Sequence, residues 1–106
     1  MQNSMLETET PTPTSLGTAT VRLVVRNHPG VMSHICGLFA RRSFNLEAIA
    51  CLPLDDGTRS GMLLGVREED RITQLIAQLR KLEDVLDVRI DPQGREAFEA
   101  VREYMA

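Results

Sequence analysis

Tryptophan is absent from this chain of 106 residues, tyrosine occurs once and phenylalanine three times, so a core has to be assembled from Leu, Ile, Val, Met and Ala. Cysteine is scarce too. Cys36 and Cys51 have neither the close spacing nor the His/Cys companions of a zinc site. Each sits in an apolar run, which predicts buried free thiols in a reducing compartment. No apolar stretch approaches the ~20 residues a membrane span needs, so no membrane partner is expected. The N-terminus lacks a basic-then-apolar leader, and Glu7 and Glu9 weigh against an Arg-rich transit peptide, which makes a cytoplasmic location the expectation. Basic charge is in the minority, 12 Lys and Arg against 15 Asp and Glu, for a net charge of −3. That weighs against the clustered cationic surface of a nucleic-acid binder. The pair Arg41-Arg42 is more simply a complement to the dipole at a helix end.

What is present is an ordinary globular mixture, 42% hydrophobic and 25% charged, enough for one domain with a modest core. Residues 1–18 are rich in Thr, Pro, Ser and Glu and are read as a disordered tail. The folded domain spans 19–91, with an extension over 92–106 that carries Ala97, Phe98, Val101 and Tyr104 at the spacing of a short helix.

Within 19–91 the hydrophobic period switches repeatedly. Ala19, Val21, Leu23 and Val25 alternate with Thr20, Arg22 and Val24, the pattern of a strand. Val31, Ile35, Leu38 and Phe39 then recur at helical spacing behind Pro29 and Gly30, and this helix should stop near Ser43. Asn45 to Leu54 predicts a second strand in which Leu46, Ala48, Ala50, Leu52 and Leu54 share one parity. Asp55-Asp56-Gly57-Thr58 predicts a hairpin turn in which Asp-Gly supplies positive φ. Met62, Leu64 and Val66 mark a third strand, with Gly61 and Gly65 leaving its other face open to a backbone or ligand. Acidic Glu68-Glu69-Asp70 opens a helix bearing Ile72, Leu75, Ile76, Leu79 and Leu82. Leu86, Val88 and Ile90 make the fourth strand. The order β-α-β-β-α-β predicts an α+β, ferredoxin-like sandwich: a four-stranded antiparallel sheet with two helices on one face. Arg22, Val24, Ile49, Cys51 and Leu63 would then line the bare face, which predicts a homodimer formed through a sheet edge or face.

The turn Asn27-His28-Pro29-Gly30 between the first strand and helix carries the main functional signal. Backbone N–H groups at a helix start lack partners within the helix and can receive a carboxylate or phosphate. An ordinary strand–helix turn explains the same residues without a ligand.

Asn27-His28-Pro29-Gly30-Val31 after a strand, followed by Gly37-Leu38-Phe39-Ala40-Arg41-Arg42-Ser43-Phe44-Asn45-Leu46, resembles the ACT domain of the regulatory small subunits of acetohydroxyacid (acetolactate) synthase. Cys51-Leu52-Pro53-Leu54 and the run Gln78 to Val88 extend the similarity over roughly residues 19 to 90. It is nearest the short, single-domain isozyme I type. Most of the wider family carries a second domain after this unit, whereas this sequence ends about fifteen residues past its fourth strand.

The resemblance implies a non-catalytic subunit, with no catalytic residues and no metal site. It implies binding of valine, or of leucine or isoleucine, at an interface between two ACT units. Asn27 would bond the ligand's polar head, and Pro29, Gly30, Val31 and Met32 would form the turn whose amides at Gly30 and Val31 take its carboxylate. Asn45 would approach from the second copy, with Leu46, Ala48 and Ile49 near the aliphatic end. The implied partner is the catalytic large subunit of acetolactate synthase, activated and made feedback-sensitive by this chain. Thiamin diphosphate, Mg and FAD would belong to that partner, and no cofactor to this chain. A free-standing amino-acid sensor of the same fold is the alternative. His28 and His34 have no nucleophile or carboxylate at a diagnostic spacing and read as solvent-facing, with pH sensing open to both. Asn45 also suits the left-handed residue of a helix exit.

Overall fold

The computed structural model describes residue 16, residues 19–67 and residues 69–106. The expected tail over 1–18 therefore lies outside the described residues except for Leu16. The elements run β1 (Ala19–Arg26), α1 (Val31–Arg42), β2 (Leu46–Leu54), β3 (Arg59–Val66), a 3-10 turn (Glu69–Arg71), α2 (Ile72–Arg80), β4 (Val85–Ile90) and α3 (Gly94–Met105). The strands form one sheet in the order β2-β3-β1-β4, with all neighbours antiparallel. This is the ferredoxin-like arrangement that the alternating periods predict.

The core lies between the sheet and helices α1 and α2. Val21, Leu23 and Val25 of β1 and Leu64 and Val66 of β3 are wholly buried there, with Ile35 of α1 and Leu75 and Leu79 of α2. Phe39 and Phe44 meet edge-to-face at 6.0 Å and close the end of this layer. Cys36 lies off the stripe made by Val31, Ile35, Leu38 and Phe39 and is exposed, contrary to the buried thiol expected of it. Cys51 is a free thiol packed against the core.

Two bulges correct the strand phases read from sequence. Leu46 pairs with Val66 and Ala48 with Gly65, so Glu47 is an extra residue in β2. Beyond it the side chains change faces: Ile49 and Cys51 stand opposite Leu64 and Met62 on the helix side. Ala48, Ala50 and Leu52 stand opposite Gly65, Leu63 and Gly61 on the other side, and Leu52 is 68% exposed. The placing of Ile49 and Cys51 on the bare face was therefore wrong. In β4, Val24 pairs with Asp87 but Val25 with Val85, which leaves Leu86 as the extra residue. Only Val88 of the expected apolar trio is buried, while Leu86 and Ile90 stay about half exposed on this edge strand.

The hairpin also differs from a two-residue primed turn. Positive φ falls on Asp55 (50°) and Gly57 (92°), not on Asp56 and Gly57. The connection occupies four residues, closed by Gly57 N–H donating to Leu54 O at 2.7 Å. Asp55 and Arg59 form an ion pair across it.

The second face of the sheet is not bare. Asp91 N–H extends the β1–β4 ladder to Thr20 O (2.8 Å), and Asp91 Oδ1 then accepts the Gln93 N–H at 3.1 Å to start α3. Gly94 seats α3 directly on Thr20 and Leu63; a Cβ there would overlap the Thr20 methyl. Phe98 is buried one turn further on, and the helix end at Val101, Tyr104 and Met105 is exposed. Gly65 meets the expectation of close approach: a Cβ at that position would overlap the carbonyl oxygen of Leu16.

The register makes a direct prediction. Leu64→Ala should cost about 2–5 kcal/mol in urea unfolding, because it opens a cavity in a fully buried layer. Leu52→Ser on the adjoining strand should stay within about 0.5 kcal/mol of the parent, since its side chain is already in water. Equal losses at both positions would refute the bulge at Glu47.

Candidate functional site

β1 is a middle strand, so its C-terminal end is fixed on both sides and delivers the turn at residues 27–30 to a defined place. Arg26 N–H donates to Asp84 O at 2.8 Å on one side, and Asn27 N–H donates to Thr58 O at 3.0 Å on the other. The Asn27 side chain reinforces the second contact, Nδ2 donating to Gly57 O at 2.7 Å. Its Oδ1 has no partner among the described residues and remains available as an acceptor.

Gly30 then opens α1 with φ 93° and ψ −10°, a left-handed conformation that strains any residue with a Cβ. A Cβ there would meet nothing within 4 Å, so the position is open toward solvent. Val31 is buried and anchors the helix, whereas Met32 and Pro29 are exposed. Val31 N–H leans back to His28 O at 3.3 Å, and His34 N–H makes the first helical bond to Gly30 O at 3.0 Å. The turn thus presents an open glycine at a helix start, a free amide oxygen and an exposed methionine on one corner of the fold.

The second group of expected site residues lies elsewhere. β1 ends opposite Arg59, while β2 begins at Leu46 opposite Val66. The distance along the sheet between those ends is roughly 24 Å at about 3.4 Å per residue. One chain therefore does not bring Asn27, Pro29, Gly30, Val31 and Met32 together with Asn45, Leu46, Ala48 and Ile49. The latter four start an edge strand. Leu46 packs on the core, Ala48 faces Gly65, and Ile49 faces Leu64 on the opposite side, so Ala48 and Ile49 do not share a face.

The helix exit before Asn45 is held by groups that sequence reasoning missed. The left-handed residue is Ser43 (φ 57°), not Asn45, and Phe44 N–H closes the turn on Phe39 O at 3.0 Å. Arg71 stacks over the Phe44 ring at 4.1 Å, and its guanidinium donates to Arg42 O at 3.1 Å and Ser43 O at 3.4 Å. A cation here meets the negative end of α1 and satisfies its last carbonyls. Nothing local in the sequence pairs Arg71 with residues 28 positions away.

His28 and His34 are solvent-accessible as expected, but they converge on a residue not considered, Asp84 in the α2–β4 connection. His28 Nε2 lies 2.6 Å from Asp84 Oδ2, and His34 Nδ1 lies 3.5 Å from the same oxygen. The hydrogen bond to Asp84 holds the His28 pKa above its ordinary 6.5, helped by the Pro29 carbonyl. The same bond, with His34 contributing, holds Asp84 below the ordinary carboxylate value. No group of His, Cys, Asp or Glu among the described residues is arranged to hold a metal ion, and no described helix is long and apolar enough to cross a membrane.

A ferredoxin-like fold of the ACT type, with an open helix-start corner and an edge strand paired on one side only, is the class this geometry defines. Residues 21–87 match the family model described as the AHAS (acetohydroxyacid synthase) small subunit-like ACT domain, and the chain belongs to that family. It is 55% identical over 69 residues to the acetolactate synthase isozyme 1 small subunit of Escherichia coli, covering 65% of this chain and 72% of that protein. It is 38% identical over 73 residues to the isozyme 3 small subunit of the same organism, covering 68% of this chain and 45% of the relative. The crystal structure of the acetolactate synthase small subunit from Thermotoga maritima superposes with a TM-score of 0.64 at 36% identity, over 70% of this chain and 47% of that one. The chain thus spans less than half of the last two proteins.

The His28–Asp84 pair carries a sign that can be worked out. A raised His28 pKa means its contribution is complete below about pH 6.5 and is lost as pH rises through the raised value. A lowered Asp84 pKa means its contribution is present above about pH 3.8 and is lost as pH falls through the lowered value. The stability difference between the parent and Asp84→Asn, measured by urea unfolding at successive pH values, should therefore be largest between about pH 4 and 6.5 and shrink toward alkaline pH.

Proposed function

We propose that this chain is a regulatory subunit of acetolactate (acetohydroxyacid) synthase in branched-chain amino acid biosynthesis. It binds valine, or leucine or isoleucine, between two copies of itself and passes feedback inhibition to a catalytic large subunit that it also activates. The observation that carries this reading is the Gly30 corner: a left-handed residue with no side chain, opening α1, with nothing over it.

The chemistry suits the zwitterionic end of an amino acid. A carboxylate is received best by N–H donors at a helix start, where the dipole favours negative charge. The long Val31 N–H contact to His28 O is weak enough for a carboxylate to replace it. Because Asn27 Nδ2 is committed to the hairpin, Oδ1 is the atom left to accept from the ammonium group. Enclosing the isopropyl group takes a second surface, worth roughly 1.5–3 kcal/mol when dry. Leu46 and Ile49, on the helix side of the edge strand, supply that surface from the other copy, with Asn45 beside them and Ala48 at the same strand start on its opposite face. An edge strand offers unpaired backbone groups to a second chain, which supports this mode of dimerisation.

Inhibition then follows from linkage. An effector that binds one conformation of the paired subunits more tightly shifts their population, and the catalytic partner reads the shift. An effector with equal affinity for both conformations would transmit nothing. Thiamin diphosphate, Mg and FAD are assigned to the catalytic subunit, this chain contributes no catalytic residue, and the complex works in the cytoplasm.

Reconstitution with the co-purified large subunit tests the reading. Gly30→Asp and Asn45→Ala should each raise the valine concentration needed for inhibition by at least about tenfold, ~1.4 kcal/mol of binding, while activation is retained. Full valine sensitivity in both variants would overturn the site. Failure to capture any large subunit from native cytosol, with valine binding intact by calorimetry, would instead favour a free-standing sensor.

A further inference from the structure

His28 faces an oxygen from each of its two ring nitrogens. Nε2 is 2.6 Å from Asp84 Oδ2, and Nδ1 is 2.6 Å from the carbonyl oxygen of Pro29. A neutral imidazole carries one N–H, so it can donate to only one of these acceptors; the imidazolium donates to both. The geometry therefore suits a charged His28. Loss of its proton leaves a lone pair pointing at an oxygen on one side or the other.

The residues so joined are not arbitrary. Pro29 immediately precedes Gly30, and Asp84 is itself fastened to the end of β1 through Arg26 N–H. His34 reaches the same carboxylate oxygen from the first turn of α1. Glu83 adds a further negative charge beside His28 from the α2–β4 connection. Arg41 lies further along α1 and lines a groove of about 270 Å³ with His34, Leu82, Glu83 and Asp84. The charged groups of the β2–β3 hairpin are engaged among themselves, Arg59 with Asp55 and Asp56 with Thr58. Asp84 is thus the one carboxylate bonded to the imidazole of His28 among the described residues.

We propose that protonated His28, clamped between Asp84 and the Pro29 carbonyl, braces the Asn27–Gly30 turn, so that amino-acid binding at this turn weakens as His28 loses its proton. The proposal rests on the effector site placed at Gly30 above and adds proton control to it. His28 acts as a positioning residue: it reaches the ligand through the backbone at Pro29 and Gly30. Histidine is the side chain whose ordinary charge change lies nearest neutrality, and the contact with Asp84 favours its charged form.

The test combines two readouts on the full chain. Calorimetric titration with valine from pH 5.5 to 8.5 should show affinity falling several-fold in the parent, and an almost flat profile in Asp84→Asn and in His28→Gln. His34→Gln should keep most of the slope, since its contact is the longer one. In parallel, NMR should show the His28 ring titrating at lower pH in Asp84→Asn than in the parent, with the Gly30 amide resonance following the ring. Identical His28 titration in parent and Asp84→Asn, or a Gly30 amide indifferent to it, would overturn the brace. If no amino acid binds at any pH, the effector reading and its pH-dependent affinity fall, while the ring and amide shifts still decide whether the brace exists.

Discussion

Strand β1 is the constraint on which the other parts depend. Val21, Leu23 and Val25 are fully buried on its helix side, and its backbone is paired on both edges, to β3 and to β4. A strand held this way cannot shift register without exposing three core residues, because one step moves every side chain to the other face. The turn at Asn27–Gly30 therefore leaves the sheet from its most fixed element, and its corner is located by the core. Loops that bind small molecules gain from such a rigid base, since less conformational freedom remains to be lost when the ligand arrives.

The same strand separates the two groups of candidate site residues. The turn lies at one end of β1, and the start of β2 lies alongside the other end. A ferredoxin-like unit cannot fold its own edge strand back over that length, so a pocket built from both groups is necessarily made by two copies. On the proposed reading dimerisation is a condition of binding, and affinity for the effector would carry the cost of assembly with it. This is a structural reason for an effector to report on the state of an assembly.

How much of this was readable in the sequence follows from the kind of information each feature needs. Alternation in 19–25, helical spacing in 31–39 and the order of elements depend on local pattern, and they predict the sheet and its two core helices. The bulges at Glu47 and Leu86 depend on pairing with another strand, so parity alone sent Ile49 and Cys51 to the wrong face. A run in which Leu46, Ala48, Ala50, Leu52 and Leu54 share one parity looks like a buried face, yet Leu52 is mostly in water. Cys36 failed for a related reason: an apolar neighbourhood in sequence is not the buried stripe of a helix. The turn at 27–30 was readable as a turn because proline and glycine declare their backbone geometry. Asp84 and Arg71 were not, since ion pairs and carbonyl caps across 28 or more positions leave no local signature.

Helix α3 shows what a thin apolar stripe can do when it meets a surface with matching gaps. Its glycine start sits on Thr20 and Leu63, and Phe98 is the buried residue of the next turn, which seats the helix start on the sheet face opposite α1 and α2. The fixing is assisted by β4, whose ladder runs straight on through Asp91 into the helix start. α3 thereby covers the Thr20 end of β1 on the second face, while Arg22 stays exposed and the stripe of Ala48, Ala50 and Leu52 on β2 keeps an open side. Burial concentrates at the centre of the sheet and exposure at the edge strand assigned to pairing with a second copy. The order of the strands, β2-β3-β1-β4, thus sets both properties at once: the element that carries the helix-start corner is central and paired on both sides, and the element proposed to meet a second copy is peripheral and paired on one side only.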